Sequence, residues 1–193
     1  MKMIFFDLET TGVDFKESAV IQIGAILDID GEEVDNIDIK LKPHDGATIE
    51  SDALRVTGVT MEDLMENPER VSPRDGYIKF LEFCRFPKQV FAKDRILASG
   101  YNALGFDMPM FINLGQRAGD HYSYAKFHWP VIDVAAIAAG HLAKSRHTMK
   151  NFKLMTVAER LGISTDGQAH DALFDVRVTR SIYYEILAAQ YGQ

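Results

Sequence analysis

The stretch MIFFDLETTG, residues 3–12, places two acidic side chains within a run of large apolar residues. Short apolar and aromatic runs of this kind are typical of buried strands. Because side chains alternate along a strand, we expect Asp7 and Glu9 to share one face. Two like charges beside a core are costly unless a cationic side chain, a shared proton or a bound cation compensates them. The pair alone does not choose among these three, and an exposed strand face would also explain it.

Beyond this stretch, the sequence predicts an antiparallel meander followed by alternating helices and strands. Asp30 and Gly31 form a tight hairpin signal between the second and third strands. The predicted strands are 3–7, 19–29, 33–41, 95–99 and 130–134. Helices are expected after Thr60, from Pro73, and over 107–119, 135–143, 151–162 and about 170–191. This order indicates one α/β domain, residues 1–193, built on a mixed sheet.

The composition is that of a globular protein, since 47% of the 193 residues are hydrophobic and 25% are charged. No segment resembles a signal peptide, and no apolar run is long enough to span a bilayer, so we expect no membrane partner. Cys84 is the single cysteine, which excludes an intramolecular disulfide. This cysteine usage fits a reducing compartment, and we expect the protein to be cytoplasmic.

The net charge of −7 is distributed unevenly along the chain. Residues 1–75 contain 7 basic and 18 acidic side chains, whereas residues 76–193 contain 14 basic and 10 acidic ones. Within the second part, residues 117–153 have 6 basic side chains against 2 acidic ones, together with four histidines. A solvated surface would explain this excess, and a surface that faces a polyanion would explain it as well.

Two later phrases add further acids in apolar surroundings. GYNALGFDMPMF, residues 100–111, places Asp107 at the predicted start of a helix, where it could serve as an N-cap. HDALFDV, residues 170–176, places His170 ahead of the last helix and Asp175 one turn inside it. Asp171 needs no role beyond a helix-start carboxylate. Solvent exposure explains Asp175 less well, because the apolar residues around it indicate a packed helix.

Taken together, FDLETTG, YNALGFD and His-x-Ala-x-x-Asp at residues 170–175 resemble the three ordered motifs of the DEDDh 3′–5′ exonucleases. This is the superfamily of the proofreading epsilon subunit, ribonuclease T and oligoribonuclease. The segment IESDALRVTGVTMEDL, residues 49–64, is also similar to the family's segment after the third strand. The second motif has one residue more than the shortest family form. The resemblance covers residues 3 to about 180 and implies a ribonuclease H-like fold, a five-stranded mixed sheet flanked by helices, with its first three strands antiparallel.

The resemblance also implies a metal site. Mg²⁺ and Mn²⁺ prefer carboxylate ligands, and two such ions roughly 3.5–4 Å apart can activate water and stabilise a leaving oxygen. By resemblance, Asp7 bridges both ions, while Glu9, Asp107 and Asp175 complete the ligation. His170 is then the general base, and the ordinary pKa of a histidine, about 6.5, suits this task near neutral pH.

Contacts with the substrate are expected at three places. By resemblance, the backbone of Thr10, Thr11 and Gly12 approaches the 3′-terminal nucleotide, and Asn102 and Phe106 of the second motif also face the substrate. Residues 121–130 mix Tyr122, Tyr124, Phe127 and Trp129 with Lys126 and two histidines, a combination that could stack bases, although about half of these aromatics are expected in the core. In residues 143–153, called here the basic stretch, the candidates for phosphate contacts are Lys144, Arg146 and Lys150.

Three functions follow as hypotheses. The first is a metal-dependent 3′–5′ exonuclease that releases 5′-mononucleotides from DNA, mainly from single strands. The second is the same chemistry on RNA, because distinguishing a 2′-hydroxyl needs few contacts. The third is a non-catalytic nucleic-acid-binding subunit, which the complete set of four acids and His170 disfavours. In each case the expected partner is nucleic acid with a free 3′ end, and the sequence leaves a polymerase partner or a homodimer open.

Overall fold

Three strands of the sheet run parallel to one another, so their carboxyl ends lie at the same edge. The computed structural model describes residues 1–85, 93, 95–166 and 170–191. Within these ranges, a five-stranded sheet has the order β3-β2-β1-β4-β5. Strands β1 to β3 are antiparallel, and β4 and β5 run parallel to β1. The bounds are β1 Lys2–Thr10, β2 Val20–Ile29, β3 Glu32–Lys40, β4 Leu97–Gly100 and β5 Ile132–Asp133. The prediction of a five-stranded mixed sheet is confirmed.

The β2–β3 hairpin forms as the sequence predicts. Asp30 and Gly31 both have a positive φ, of 54° and 91°, which is the conformation that a two-residue type I′ turn requires. Glycine adopts it without steric cost, and aspartate tolerates it better than most residues do.

Seven helices are described, and they flank the sheet on both faces. The Thr60 hydroxyl accepts a hydrogen bond from the Asp63 N–H at 3.0 Å, and Pro73 begins a helix capped by Ser72, so both helix-start predictions are confirmed. None of the helices in the described ranges has both the length and the apolar character needed to cross a membrane. The bounds are α1 Ser51–Thr57, α2 Met61–Glu66, α3 Pro73–Phe83, α4 Asp107–Arg117, α5 Val134–His141, α6 Leu154–Arg160 and α7 Ala172–Tyr191.

Strand β1 separates two hydrophobic cores. Ile4, Phe6 and Leu8 point to the face covered by α3 and α4, where Phe6 meets Phe111 at a ring-centroid distance of 6.1 Å. Met3 and Phe5 point to the opposite face, which α5, α6 and α7 cover. By alternation, Asp7 and Glu9 continue this second face towards the start of α7.

Helix α7 lies directly on the backbone of β2. A Cβ atom built on Gly24 would lie 2.4 Å from both the carbonyl carbon of Ala172 and the amide nitrogen of Leu173. Farther along the helix, Arg180 Nε and the Tyr184 hydroxyl each donate a hydrogen bond of 2.9 Å to the fully buried carboxylate of Asp28. The absence of a side chain at Gly24 therefore brings the start of α7 close to β1, and Asp28 holds the helix farther along.

Candidate active site

The first two acids lie at the carboxyl end of the central strand. Asp7 pairs with Gly24 and Glu9 pairs with Gln22 across the β1–β2 ladder, and the register shifts immediately after Glu9. Glu9 is only 9% exposed. Glu9 and Gln22 are direct cross-strand neighbours, so their side chains lie on one face. The sheet therefore presents both acids of the first motif towards α7, as the alternation of the sequence predicts.

Asp107 is the first residue of α4, and its side chain does not cap its own helix. The N-cap position belongs to Phe106, which provides no side-chain cap. Asp107 Oδ1 instead accepts a hydrogen bond of 3.0 Å from the backbone N–H of Leu8. The N-cap interpretation of Asp107 is therefore wrong, because the carboxylate faces β1 and is 98% buried there.

The third motif supplies a histidine, a capping acid and a buried acid. His170 has a φ of 65°, an uncommon backbone conformation for a residue with a side chain, and such residues cluster at functional sites. Asp171 Oδ1 accepts a hydrogen bond from the Phe174 N–H at 3.0 Å, which confirms its role as a helix-start carboxylate. Asp175 lies one turn inside α7 and is 7% exposed, so the prediction that it is not a surface residue is confirmed.

These elements bring together a set of groups that could hold a cation. Glu9, His170 and Asp175 each offer a ligand atom, and these atoms all lie within 4.8 Å of one another. Asp175 Oδ1 is buried and has no hydrogen-bond partner. A buried carboxylate oxygen without a partner is costly, and a divalent cation at this position would remove that cost. The carboxylate oxygens of Glu9 and Asp175 are the ligands that Mg²⁺ and Mn²⁺ prefer.

The same acids repel one another in the metal-free protein. Burial, followed by the charges of Asp107, Asp175 and Asp171, raises the pKa of Asp7 well above its ordinary value. Burial, followed by the charges of Asp7 and Asp175, raises the pKa of Glu9 to about 9. These shifts show that the carboxyl groups lie close enough to disfavour one another's ionised form.

Asp107 and Asp175 respond in the same direction. Burial raises the pKa of Asp107 to about 8, and the hydrogen bond from Leu8 opposes this rise. Burial raises the pKa of Asp175 to about 6, against the effect of the His170 backbone N–H. None of the ion pairs found among the described residues involves an acid of this set. Of the three compensations considered for the first acid pair, bound protons and bound cations therefore remain.

An open pocket of about 280 Å³ adjoins Glu9. Its walls are largely apolar, and Phe106 contributes to them, as do the predicted substrate residues Thr10 and Gly12. Val13 and Val56 line it as well, with exposed fractions of 75% and 46%. The pocket is therefore an apolar cleft immediately beside the acids.

Thr11 has other surroundings than predicted, whereas the substrate contact of the exposed Asn102 stays a prediction. Thr11 is fully buried, and its N–H, carbonyl and hydroxyl groups are bonded to Ala19, Glu50 and Thr48, so its backbone is not available to a nucleotide. Asn102 is exposed, has a φ of 60°, and accepts hydrogen bonds from the N–H groups of Gly105 and Phe106 through its carbonyl oxygen. Thr11 thus belongs to the scaffold, and Asn102 shapes the turn that leads into α4.

The aromatic segment and the basic stretch are both mainly on the surface. Phe127 is in the core, but Tyr122, Tyr124 and Trp129 are 53–75% exposed, so the expectation that half of these aromatics are buried is wrong. Lys126 pairs with Asp120.

In the basic stretch, Lys144, Arg146 and Lys150 are all exposed, and the Arg146 guanidinium lies 4.7 Å from the centroid of the Phe152 ring. The Tyr101 hydroxyl donates to the Phe152 carbonyl, which places this stretch near the carboxyl end of β4.

Two positions near the acids are not singled out by the sequence motifs. Gly24 permits the close approach of α7, and its only sequence signal is a glycine in the middle of a strand pattern, which often marks close backbone approach. Gln22 donates to Asp38 at 2.8 Å and to Asp171 at 3.4 Å, so it links two strands to the start of α7.

The comparisons with known proteins agree with this geometry. A family model described as "Exonuclease" (RNase_T) matches residues 4–183. The chain belongs to this exonuclease family. The match includes all three motifs, and it confirms the resemblance to the DEDDh exonucleases.

Proteins of two kinds are similar to this chain. The PolC-type DNA polymerases III of Thermotoga petrophila and Bacillus cereus are 31% identical to it over 93% and 95% of the chain. The matched segments make up only 11% of those polymerases, so the chain spans about a tenth of their length. Ribonuclease T of Klebsiella pneumoniae is 26% identical over 95% of the chain and 83% of its own length.

Solved structures show the same fold. The zinc-bound complex of Escherichia coli exonuclease I with single-stranded DNA superposes with a TM-score of 0.80, at 20% identity, and covers the whole of this chain and 41% of the other. A further exonuclease I, from Methylocaldum szegediense, gives a TM-score of 0.77 at 19% identity. These likenesses confirm the ribonuclease H-like fold of the chain.

Proposed function

We propose that this protein is a metal-dependent 3′–5′ exonuclease that hydrolyses single-stranded DNA and releases 5′-mononucleotides. The observation that carries the proposal is the convergence of Glu9, His170 and Asp175 within 4.8 Å, with Asp175 Oδ1 buried and unpaired. The apolar pocket beside Glu9 supports an end-directed enzyme, because it can receive one base at the terminus of a strand.

In this proposal, four acids hold two divalent cations, either Mg²⁺ or Mn²⁺. Asp7, Glu9, Asp107 and Asp175 would supply the carboxylate ligands. The ions, when bound, activate the attacking water and stabilise the charge on the leaving oxygen. The raised pKa values of the acids support this assignment, because bound cations would hold all four carboxylates in their ionised form.

His170 acts as the general base. Its side chain is exposed and lies within 4.8 Å of two carboxylate ligands, so it can reach a water molecule positioned between them and the scissile phosphate. The neutral imidazole takes the proton as the water oxygen attacks phosphorus, and the bond to the 3′ oxygen of the preceding nucleotide breaks. Meanwhile the walls of the pocket, including Thr10, Gly12 and Phe106, orient the terminal nucleotide.

DNA is the preferred substrate class in this proposal, because exonuclease I, whose fold this chain shares, is described in complexes with single-stranded DNA. RNA is the second candidate. It is favoured by the match to ribonuclease T, which extends over 83% of that enzyme's length, whereas the match to the PolC-type polymerases extends over 11% of their length.

The proposal is tested with 5′-labelled single-stranded DNA, duplex DNA and RNA of one sequence, each incubated with Mg²⁺, Mn²⁺ or EDTA. We expect a ladder that shortens stepwise from the 3′ end in either metal, fastest for single-stranded DNA, and no products in EDTA. A circular single strand should survive. Cutting of the circle would show an endonuclease, and full turnover by metal-free protein would exclude the two-metal mechanism.

Asp7→Asn provides a matched variant, because it removes one charge with little change of shape. We expect it to abolish turnover, while Asp35→Asn, at an exposed position on β3, keeps wild-type turnover. Equal activity of the two variants would remove Asp7 from the site.

A further inference from the structure

A second pocket, with a volume of about 410 Å³, lies on the side of the sheet covered by α3 and α4. It is formed where the chain leaves β3, where α3 begins and where α4 ends, so three elements distant in sequence contribute to it. Its polar lining residues are Lys42, His44, Asp45, Ser72, Arg74 and Arg117. None of these residues belongs to the set of acids and His170.

The charge of this pocket is opposite to that of its surroundings. Three permanent cations and one acid line it, although residues 1–75 hold only 7 basic side chains against 18 acidic ones. Lys42 and Arg74 are two of those seven, and Lys16, a third, lies close by, since its carbonyl oxygen accepts a hydrogen bond of 2.7 Å from Arg117. Three cationic side chains that line one pocket create a positive potential there, which favours the binding of an anion.

The pocket also has a fixed wall. Arg117 is held by Asn113 at 2.8 Å and by the Lys16 carbonyl, so its guanidinium is oriented in advance. His44 adds no donor, because its Nδ1 lies 3.0 Å from the Asp45 carbonyl oxygen and donates to it, which leaves the buried Nε2 of the neutral ring as an acceptor. The start of α3 adds little, because Ser72 already bonds to Asp75 there. The three cationic side chains therefore provide the affinity for an anion.

Helix α4 connects this pocket with the active site. Phe106, immediately before the helix, lines the pocket beside Glu9, and Arg117 lies at the other end of the helix. At 1.5 Å per residue, the two ends are about 16 Å apart. Along the axis of a duplex, the phosphates of one strand recur about every 3.4 Å, so this distance corresponds to about five of them.

We propose that the pocket lined by Lys42, Arg74 and Arg117 binds a backbone phosphate of the nucleic acid, away from the scissile bond. This inference rests on the proposed nuclease function and adds a contact that the basic stretch 143–153 does not provide, since that stretch lies near the end of β4. The site raises affinity for long substrates and has no part in hydrolysis.

The test is the double variant Lys42→Ala/Arg74→Ala, which leaves the structural bonds of Arg117 intact. Its matched control is Lys93→Ala/Arg95→Ala, which removes the same two charges from exposed positions ahead of β4, at the opposite end of that strand from the site. Binding of a long single strand and of a duplex with a 5′ overhang is measured in Ca²⁺ over a range of salt concentrations. Hydrolysis of a trinucleotide is measured in Mg²⁺.

We expect the pocket variant to bind at least one of the long substrates roughly 2- to 30-fold more weakly, the range for two exposed ion pairs. The salt slope should fall by about 0.7 per lost contact on a single strand and about 0.9 on a duplex. Trinucleotide hydrolysis should not change. Unchanged affinity and slope for both long substrates, or a loss equal to that of the control, would overturn the inference. A wild-type protein that hydrolyses no nucleic acid would instead refute the proposed function.

Discussion

The crowding of acids in the metal-free site predicts that Glu9→Gln stabilises the protein when divalent metals are absent. The pKa of Glu9 is about 9 in the folded protein, against 4.5 ordinarily, so between these values the folded state holds a proton that the unfolded state has lost. The free energy of unfolding therefore falls as pH rises through this window. Below pH 4.5 both states are protonated, and Glu9 contributes no pH dependence.

The magnitude follows from the pKa shift. A group that is protonated in the folded state and ionised in the unfolded state changes the free energy of unfolding by about 1.4 kcal/mol per pH unit. From pH 6 to pH 8, Glu9 alone should therefore cost about 3 kcal/mol, a large share of a typical stability of 5–15 kcal/mol. The charge of Glu9 also raises the pKa of Asp107. Glu9→Gln should therefore lower the pKa of Asp107 and reduce the destabilisation that Asp107 causes as well.

The assay is denaturant unfolding in EDTA at pH 6, 7 and 8, for wild type, Glu9→Gln and the control Glu69→Gln, which changes an exposed glutamate in a turn. We expect the stability gap between Glu9→Gln and wild type to widen with pH, and the gap for Glu69→Gln to stay constant. Saturating Mg²⁺ should stabilise wild type more than Glu9→Gln. Parallel pH profiles for all three proteins would refute the argument, because Glu9 would then titrate normally.

Three further changes test other parts of the structure. Gly24→Ala should displace the start of α7 and lower both metal affinity and kcat, whereas Gly140→Ala, which meets no neighbouring atom, should not; equal kinetics would show that α7 tolerates the extra methyl group. Replacing the three candidate cations of the basic stretch by Ala should weaken binding of all single-stranded sequences alike and reduce the salt slope by up to about 2, at roughly 0.7 per contact; an unchanged slope would make them ordinary surface residues. His170→Ala should keep near-normal affinity for a single-stranded 3′ end in Ca²⁺ but lose about 10²–10⁴-fold in turnover; if more than about a tenth of the turnover remained, His170 would not be the base.

Much of the fold can be predicted from the sequence because its signals are local. The apolar run of β1, the Asp30-Gly31 turn and the cap at Thr60 each depend on neighbouring residues, and each forms as expected. The site acids are found through motif order, and the burial of Asp107 and Asp175 agrees with that reading.

Other features depend on tertiary contacts that no local pattern contains. Thr11 directly follows β1, which carries Asp7 and Glu9, but neighbouring residues occupy its hydrogen-bonding groups. Its position in the sequence therefore predicts a backbone contact with the substrate that the structure does not allow. The pocket around Lys42 and Arg74 is assembled from three separate elements, and two of its three cations come from the acidic residues 1–75. Gly24 is similar, because its importance depends on which helix lies above it.

The proximity of Glu9 and Asp175 also bears on synthesis of the protein. The ribosome makes the β1 acids early, whereas α7, which carries Asp175 and part of the second core, emerges after the other described helices, and domains fold as units during synthesis. A nascent chain that holds Asp7, Glu9 and Asp107 therefore still lacks His170 and Asp175, the proposed base and one proposed carboxylate ligand. Under the proposed function, hydrolysis can begin only when α7 reaches β2, so a nascent chain without α7 would not degrade the nucleic acids around the ribosome.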